Sequence, residues 1–371
     1  MTEKLISCNA CGSNLKFDPA SSQLTCDRCG AKNEIIEQES ELHLKELSFD
    51  DFDDAINSSD EVESQAIKCK SCAAEFSVDS DSGSGECVFC TTPYVSQDIF
   101  AQKQHAPSSV LPFSITKKVA QESFKEWINA LWFAPSALKQ LVTRLNGLQG
   151  IYYPYWTYDC STTTEYRGKR GDAYYVTESY TTTDSDGNSV SKTRQVRRIR
   201  WSRASGVVYD EFDDILVPAH DSLSRPKLNE LEPWALEDLK AYQPDYIVGF
   251  KALNYNVEMK EGFGKYALPV IRDTIDDSIR RDIGGDEQRI LQKSENFKDQ
   301  TFKHILLPVW VSSYKFSEKI YHITINASTG EVQGDRPYSW AKITAAVLGV
   351  ILIIALIYAF MNRAQIMQSF Q

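Results

Sequence analysis

The sequence predicts a multidomain chain: two small four-cysteine ribbons, an α+β body with antiparallel β-hairpins, and one C-terminal helix long enough to cross a membrane. Three observations predict it. Eight of the nine cysteines fall into two copies of one spacing, C-x2-C, fourteen residues, C-x2-C. From Gly150 onward, aromatic and β-branched runs alternate with turn residues. Near the end, Ile343 to Met361 is a run of nineteen residues without a charge.

The first ribbon spans residues 1–33 and holds Cys8, Cys11, Cys26 and Cys29; the second spans 66–95 and holds Cys69, Cys72, Cys87 and Cys90. In each, two tight knuckles bring four thiolates to the corners of a tetrahedron. Zinc suits that arrangement, because a d10 ion imposes no geometry of its own. Gly12 and Gly30 directly follow their knuckles, where a residue without Cβ lets the turn close and amide groups point at sulfur. The expectation is two structural Zn2+ sites; rubredoxin-like iron, disulfides and a redox switch are the alternatives. Four thiolates fill the shell and leave no open position for metal catalysis.

Between the ribbons, residues 34–65 carry twelve carboxylates and one lysine, Lys45. Ser48-Phe-Asp-Asp51 resembles a capping box, and Phe49, Phe52 and Ile56 fall on one helical face. Two readings stand: a short linker helix covering a ribbon, or an acidic amphipathic peptide that docks on a partner protein.

Residues 96–149 read as a linker and a helix pair. Thr116 caps the first helix, whose apolar face is Ala120, Phe124, Trp127, Ile128 and Leu131; Pro135 and Ser136 start the second.

The α+β body is expected over 150–338. Ile151 to Asp159 is aromatic and strand-like, and the unpaired Cys160 after it reads as a small buried hydrophobe. Ala173–Thr183 and Ser189–Trp201 read as a long hairpin whose return strand carries a basic stripe: Lys192, Arg194, Arg197, Arg198, Arg200 and Arg203. That stripe is either a solvated face or a contact for an acidic partner, lipid headgroups or the chain's own acidic linker. Gly206 to Val217 reads as a further strand pair or a loop, Pro233 as a first helical turn, and Tyr246 to Val257 as an interrupted strand. Ile271, Ile275, Ile279 and Ile283 stand at four-residue intervals, an amphipathic helix stopped by Gly284-Gly285. His304 to Gln333 is the last β segment, and its Leu306-Leu-Pro-Val-Trp310 echoes Tyr153-Pro-Tyr-Trp156.

The uncharged run, 343–361, would span about 28 Å as a helix, close to the thickness of a bilayer's hydrocarbon core. Tyr338, Trp340 and Tyr358 lie near its ends, where amphipathic rings prefer the headgroup layer, and a short tail, 362–371, follows. No apolar signal segment opens the chain, so the bulk is expected in the cytosol, where thiols stay reduced.

The formal charge is −11, the wrong sign for a general nucleic-acid binder. Phosphate-loop, G-x-S-x-G, H-E-x-x-H and G-x-G-x-x-G patterns are missing, the five histidines are scattered, and Asp276-Asp277 diverge as helical neighbours. No catalytic residues or small-molecule cofactor site are expected.

The order of these features resembles a bacterial family of tail-anchored double zinc-ribbon membrane proteins. The resemblance rests on CNACGSNLKFDP…LTCDRCGA, CKSCAAEF…ECVFC, GIYYPYWTYD, LEPW…AY…DYIVGF, IRRDIGGD and the LPVWVSSYKFSEKIYHITINASTGEVQGDRPYS hairpin, and it covers nearly the whole chain. Relatives are labelled TFIIB-type zinc-ribbon or, loosely, primosomal-helicase-like proteins; a helicase role is at odds with the missing phosphate loop. The resemblance implies a single-pass protein of the bacterial inner membrane with its bulk in the cytoplasm. It implies partners of the phage-shock-protein-A and SPFH/flotillin kinds in envelope stress. The expected function is a non-enzymatic adaptor that recruits cytosolic proteins to the membrane. The alternative is a membrane-tethered nucleic-acid-binding ribbon protein, and a third reading is an enzyme with an unrecognised site in the body.

Overall fold

The computed structural model describes residues 6–35, 46–50, 61–71, 75–77, 84–89, 92–135, 147–183, 187–316 and 319–368. In chain order the N-terminal strands are β1 (Leu15–Asp18), β2 (Gln23–Cys26), β3 (Lys32–Asn33), β4 (Leu47–Ser48), β5 (Glu61–Lys68), β6 (Glu75–Ser77), β7 (Ser84–Glu86), β8 (Pro93–Val95), β9 (Ile99–His105) and β10 (Ser109–Val110). The body adds β11 (Gln149–Thr183), β12 (Ser189–Pro218), β13 (Lys240–Ala241), β14 (Lys251–Ala252), β15 (Glu287–Phe316), β16 (Lys319–Asn326) and β17 (Val332–Gly334). The longer helices are α1 (Lys117–Ala130), α2 (Leu268–Ile283) and α3 (Trp340–Gln368).

One sheet organises the chain, with β11 at its centre between β12 and β15, both antiparallel to it. From Ile151 to Cys160 every residue of β11 is buried, which is why this run reads as continuously apolar and aromatic instead of alternating. Alternation survives in which core each side chain joins. Tyr152, Leu306 and Trp310 belong to one cluster; Ile151, Tyr153, Tyr155, Ile305, Leu307 and Val309 belong to another. The two Pro-x-Trp echoes are neighbours across the β11–β15 ladder, where Tyr152 faces Pro308 and Pro154 faces Leu306.

Farther along, the sheet narrows to a two-stranded ribbon. The pairing of β11 with β15 ends at Gly171, and β11 continues against β12 to Thr183. Gly206 to Val217 is neither a separate strand pair nor a loop. It is the continuation of β12: its ladder with β11 is interrupted by a bulge at Asp213-Asp214 and then resumes, and Val208 and Phe212 pack under α2. Ile271, Ile275, Ile279 and Ile283 of α2 are all buried against Cys160, Tyr166 and Val208. At about 1.5–3 kcal/mol per fully buried isoleucine, this seam is the main hold on the base of the ribbon. Gly284, at φ 63°, supplies the left-handed residue that ends α2.

Three further expectations are corrected. Ser48 lies in β4 and pairs with Thr301 of β15, and its hydroxyl accepts the amide of Asp50; the helix expected beyond it falls on 51–60, outside the described residues. Phe49 turns inward to Phe263, 4.8 Å away, and Phe302, 5.9 Å away, because an aromatic pocket outcompetes a solvent-facing helix for it. Phe52 and Ile56 lie outside the described residues. Pro233 starts no regular helix; only a 3-10 turn, Leu236–Asp238, follows. Tyr246 to Val257 is a helical turn, Pro244–Ile247, and the two-residue β14, with Gly249 at φ 87° making the bend between them.

Helix α1 has its cap at Thr116, whose hydroxyl accepts the Val119 amide at 3.4 Å, and it buries Ala120, Phe124 and Ile128. The second helix of the expected pair falls on 136–146, outside the described residues. The stretch 96–149 also supplies β9, which pairs with β5, and β10, which lies parallel to β15.

Candidate metal centre

The first unit is built from two knuckles and a three-stranded sheet. Alternation in β1 and β2 turns Leu15, Phe17, Leu24 and Cys26 inward, with Leu15 opposite Cys26 and Phe17 opposite Leu24. The knuckles are equivalent. The Gly12 amide donates to Cys8 O at 2.8 Å, and the Gly30 amide donates to Cys26 O at 2.9 Å. Gly12 and Gly30 hold φ of 71° and 72°, a conformation that costs a residue with a side chain. Each turn therefore favours glycine after its second cysteine, as the sequence indicates.

The four sulfurs converge. Cys8 Sγ lies 3.6 Å from Cys29 Sγ, Cys11 Sγ lies 3.5 Å from Cys26 Sγ, and all four lie within 4.8 Å of one another. A tetrahedron with metal–sulfur bonds of about 2.3 Å has sulfur–sulfur edges of about 3.8 Å, so the group is close enough to hold a metal ion. Cys8 and Cys26 are buried, Cys11 and Cys29 exposed. The Ser13 backbone and hydroxyl lower the Cys11 thiol to about 6, the direction a metal-ligating thiolate needs. At Cys29 the Ala31 amide also pulls downward, but the neighbouring sulfurs of Cys11, Cys26 and Cys8 outweigh it and push that thiol up to about 12. A cation at the centre of the four sulfurs would relieve their crowding.

The unit is seated on the body. The Phe17 amide donates to Val248 O at 3.0 Å, and the Phe17 ring meets Tyr246 edge-on at 5.8 Å. Cys8, Leu15, Phe17, Leu24 and Cys26 share one core cluster with Tyr152 and Trp310 of the central sheet.

Among the described residues, part of this backbone recurs at the sequence shift that carries Cys8 to Cys69. The Ser7–Asn14 bridge before the first knuckle recurs as the Lys68–Glu75 pair. The amide of Cys26 bonds Ala31 O at 3.0 Å, and that of Cys87 bonds Thr92 O at 2.9 Å. Cys69 and Cys87 are both buried and share a cluster with Phe76, Tyr94, Ile151 and Tyr153. Cys72 and Cys90 lie outside the described residues. The two units therefore meet opposite faces of β11.

A second convergence gives no signal in the sequence. Carboxylate oxygens of Asp159, Asp213 and Asp214 come within 4.8 Å of one another, where β12 and β15 each carry one extra residue opposite β11. Thr301 donates to Glu46 at 2.7 Å and to Asp159 at 3.3 Å, and Lys303 pairs with Glu46 at 3.1 Å. Burial, then the Glu46 and Asp214 charges, push Asp159 up to about 6 despite the Asp214 amide it accepts. Lys303 closes this as an internal charge network.

Asp276 and Asp277 diverge, toward Lys293 and Arg280 respectively. Cys160 is buried beneath α2, and burial, with Asp159 nearby, pushes its thiol up to about 11. The basic stripe is partly neutralised: Arg194 and Arg198 share Glu178, Arg197 pairs with Glu287, and Arg200 stacks on Tyr174. At the C-terminal end, Trp340–Phe360 of α3 is long and apolar enough to cross a membrane, with mean hydropathy 2.8 and 0% of it buried against the chain.

No family model matches the chain, and no solved structure matches it. The uncharacterized protein YdjG of Bacillus subtilis (strain 168) is 26% identical over 247 residues, which cover 66% of this chain and 68% of that protein.

Proposed function

We propose that the chain is a membrane-anchored zinc-ribbon adaptor. It displays two rigid Zn(Cys)4 modules on a β-sheet body and recruits cytosolic proteins to the membrane surface. The observation that carries the reading is the seating of the Cys8–Cys29 unit. Its sulfurs converge at metal-binding distance, and its strands are bonded and packed into the same core as the central sheet. Four thiolates complete a zinc ion's shell, so such a centre fixes a surface instead of activating a substrate. The apolar and exposed α3 supports anchoring. The repeated hydrogen bond at Cys87 supports a second site completed by Cys72 and Cys90. The adaptor is of the inner membrane with its bulk cytoplasmic, and partners of the phage-shock-protein-A or SPFH/flotillin kind in envelope stress follow from the family resemblance alone.

The test is metal analysis of the full-length protein purified in mild detergent, with recovery of partners from nuclease-treated membranes at stepped salt. The reading expects two zinc ions per chain and partner recovery that Cys26→Ser or Cys87→Ser abolishes while both variants stay membrane-bound. Full recruitment by both variants would remove the ribbons from the function.

A further inference from the structure

Two successive large aromatics are held out in solvent at the root of α3, by a turn more than two hundred residues earlier. Leu131 and Ala134 are buried at 9% and 2% exposure, whereas Trp132 between them is 79% exposed and Phe133 39%. Buried neighbours on both sides fix the backbone, so the outward projection of the pair is set by the fold. The turn continues α1, with the Leu131 amide on Ile128 O at 3.2 Å and the Ala134 amide on Leu131 O at 3.3 Å.

This turn is tied to the first turn of α3. The Ser339 amide donates to Phe133 O at 2.8 Å. The Lys342 ammonium donates to Ala134 O at 2.7 Å and to Trp132 O at 3.4 Å. Both contacts fall where the apolar run begins. Tyr338, 54% exposed, and Trp340, 78% exposed, flank the same root, and the Arg336 guanidinium sits 5.5 Å from the Tyr338 ring. Tryptophan is seldom left this exposed on a soluble surface, while indole and phenol rings beside cations are enriched in the headgroup layer of membranes.

We infer that the Leu131–Ala134 turn is a second membrane contact. It sets Trp132 and Phe133 into the bilayer's interfacial layer beside Tyr338 and Trp340, and so fixes how the body stands on the membrane. The occupant of this aromatic face is lipid, because the face is continuous with the only described helix that is apolar and long enough to span. Lys342, bonded to two carbonyls, enters that layer with two of its three donors engaged, which reduces the cost of bringing its charge there. The inference rests on the anchored reading of α3.

The experiment uses full-length protein reconstituted in phosphatidylcholine vesicles containing phosphatidylglycerol, with bromine either absent or placed high on the acyl chains. The chain has seven tryptophans, so wild type is compared with Trp132→Phe and Trp340→Phe. Both are exposed positions where phenylalanine leaves the fold alone. Loss of a bromine-quenchable component in Trp132→Phe is the expected result. If Trp132→Phe keeps all the quenching of wild type while Trp340→Phe loses part of it, the turn does not touch lipid and the inference falls with the anchor intact. If wild type shows no quenching, anchor and inference fall together.

Discussion

Tyr152 and Tyr153 are adjacent in β11 and bond to opposite sides of the protein. The Tyr152 hydroxyl donates to Tyr246 O at 3.0 Å, beneath the Cys8–Cys29 unit; the Tyr153 hydroxyl donates to His220 O at 2.6 Å, on the face that receives Cys69 and Cys87. Both phenols are fully buried, and desolvation raises their pKa well out of the usual range, so they act only as neutral donors. Tyr152→Phe and Tyr153→Phe should each cost about 1 kcal/mol, the net worth of one buried hydrogen bond. Urea midpoints of detergent-solubilised protein would read this. Only Tyr152→Phe should speed metal loss to a chelator from the N-terminal unit, because its partner Tyr246 packs on Phe17, whereas His220 belongs to the other face.

The same separation predicts independent metal sites. Cys26→Ser should lower zinc by one ion per chain and Cys87→Ser by another, with the double variant losing both. Residues on opposite faces of a sheet share no ligand, and distant changes add. Elemental analysis of purified protein counts the ions, and a single change that empties both sites would show that the units depend on each other.

The cysteine spacing, the glycines after the first unit's knuckles and the isoleucines of α2 are local patterns, and each was legible because its period or spacing reports on a single element. What stayed hidden is non-local. Nothing near Gly206 distinguishes a new strand from the extension of an old one, because β12 is set by its partner, β11. Phe49 is apolar in an acidic stretch, and only the pocket formed by Phe263 and Phe302 decides where it goes. Asp159, Asp213 and Asp214 meet where β12 and β15 both bulge opposite β11, which no spacing announces.

His304 lies between Trp156 and Tyr255, with ring centroids 4.9 and 5.3 Å away. Burial pushes it down to about 3, against a smaller upward pull from the His105 backbone. Burial likewise takes His220 to about 4. In the unfolded chain both protonate near 6.5, so the unfolded state binds more protons below that pH. Stability from these residues is therefore complete above pH 6.5 and is lost as pH falls toward 4 and 3. Between pH 7 and pH 5 each should remove about 2 kcal/mol, and His304→Phe, which keeps a ring in the slot, should remove about half of the combined loss. Urea midpoints at the two pH values check this; an unchanged pH dependence in His304→Phe would assign the loss elsewhere.

The last prediction separates the adaptor from a tethered nucleic-acid binder. Glu178 accepts from Arg198 at 2.6 Å and from Arg194 at 3.4 Å, and the Arg198 contact, then Arg194, holds its carboxyl below the usual range. These pairs are exposed on the two-stranded ribbon, so Glu178→Gln should leave the urea midpoint close to that of wild type. It should, however, release two guanidiniums beside Lys192 and Arg200. Binding of a short DNA duplex, measured by fluorescence anisotropy across a salt series, should be weak for wild type. The Glu178→Gln variant should bind more tightly, with the slope of log K against log salt steeper by about one to two, one for each phosphate neutralised. A wild-type slope already of that size would mean that the ribbon's cations are available for phosphates despite Glu178, and would favour the nucleic-acid reading.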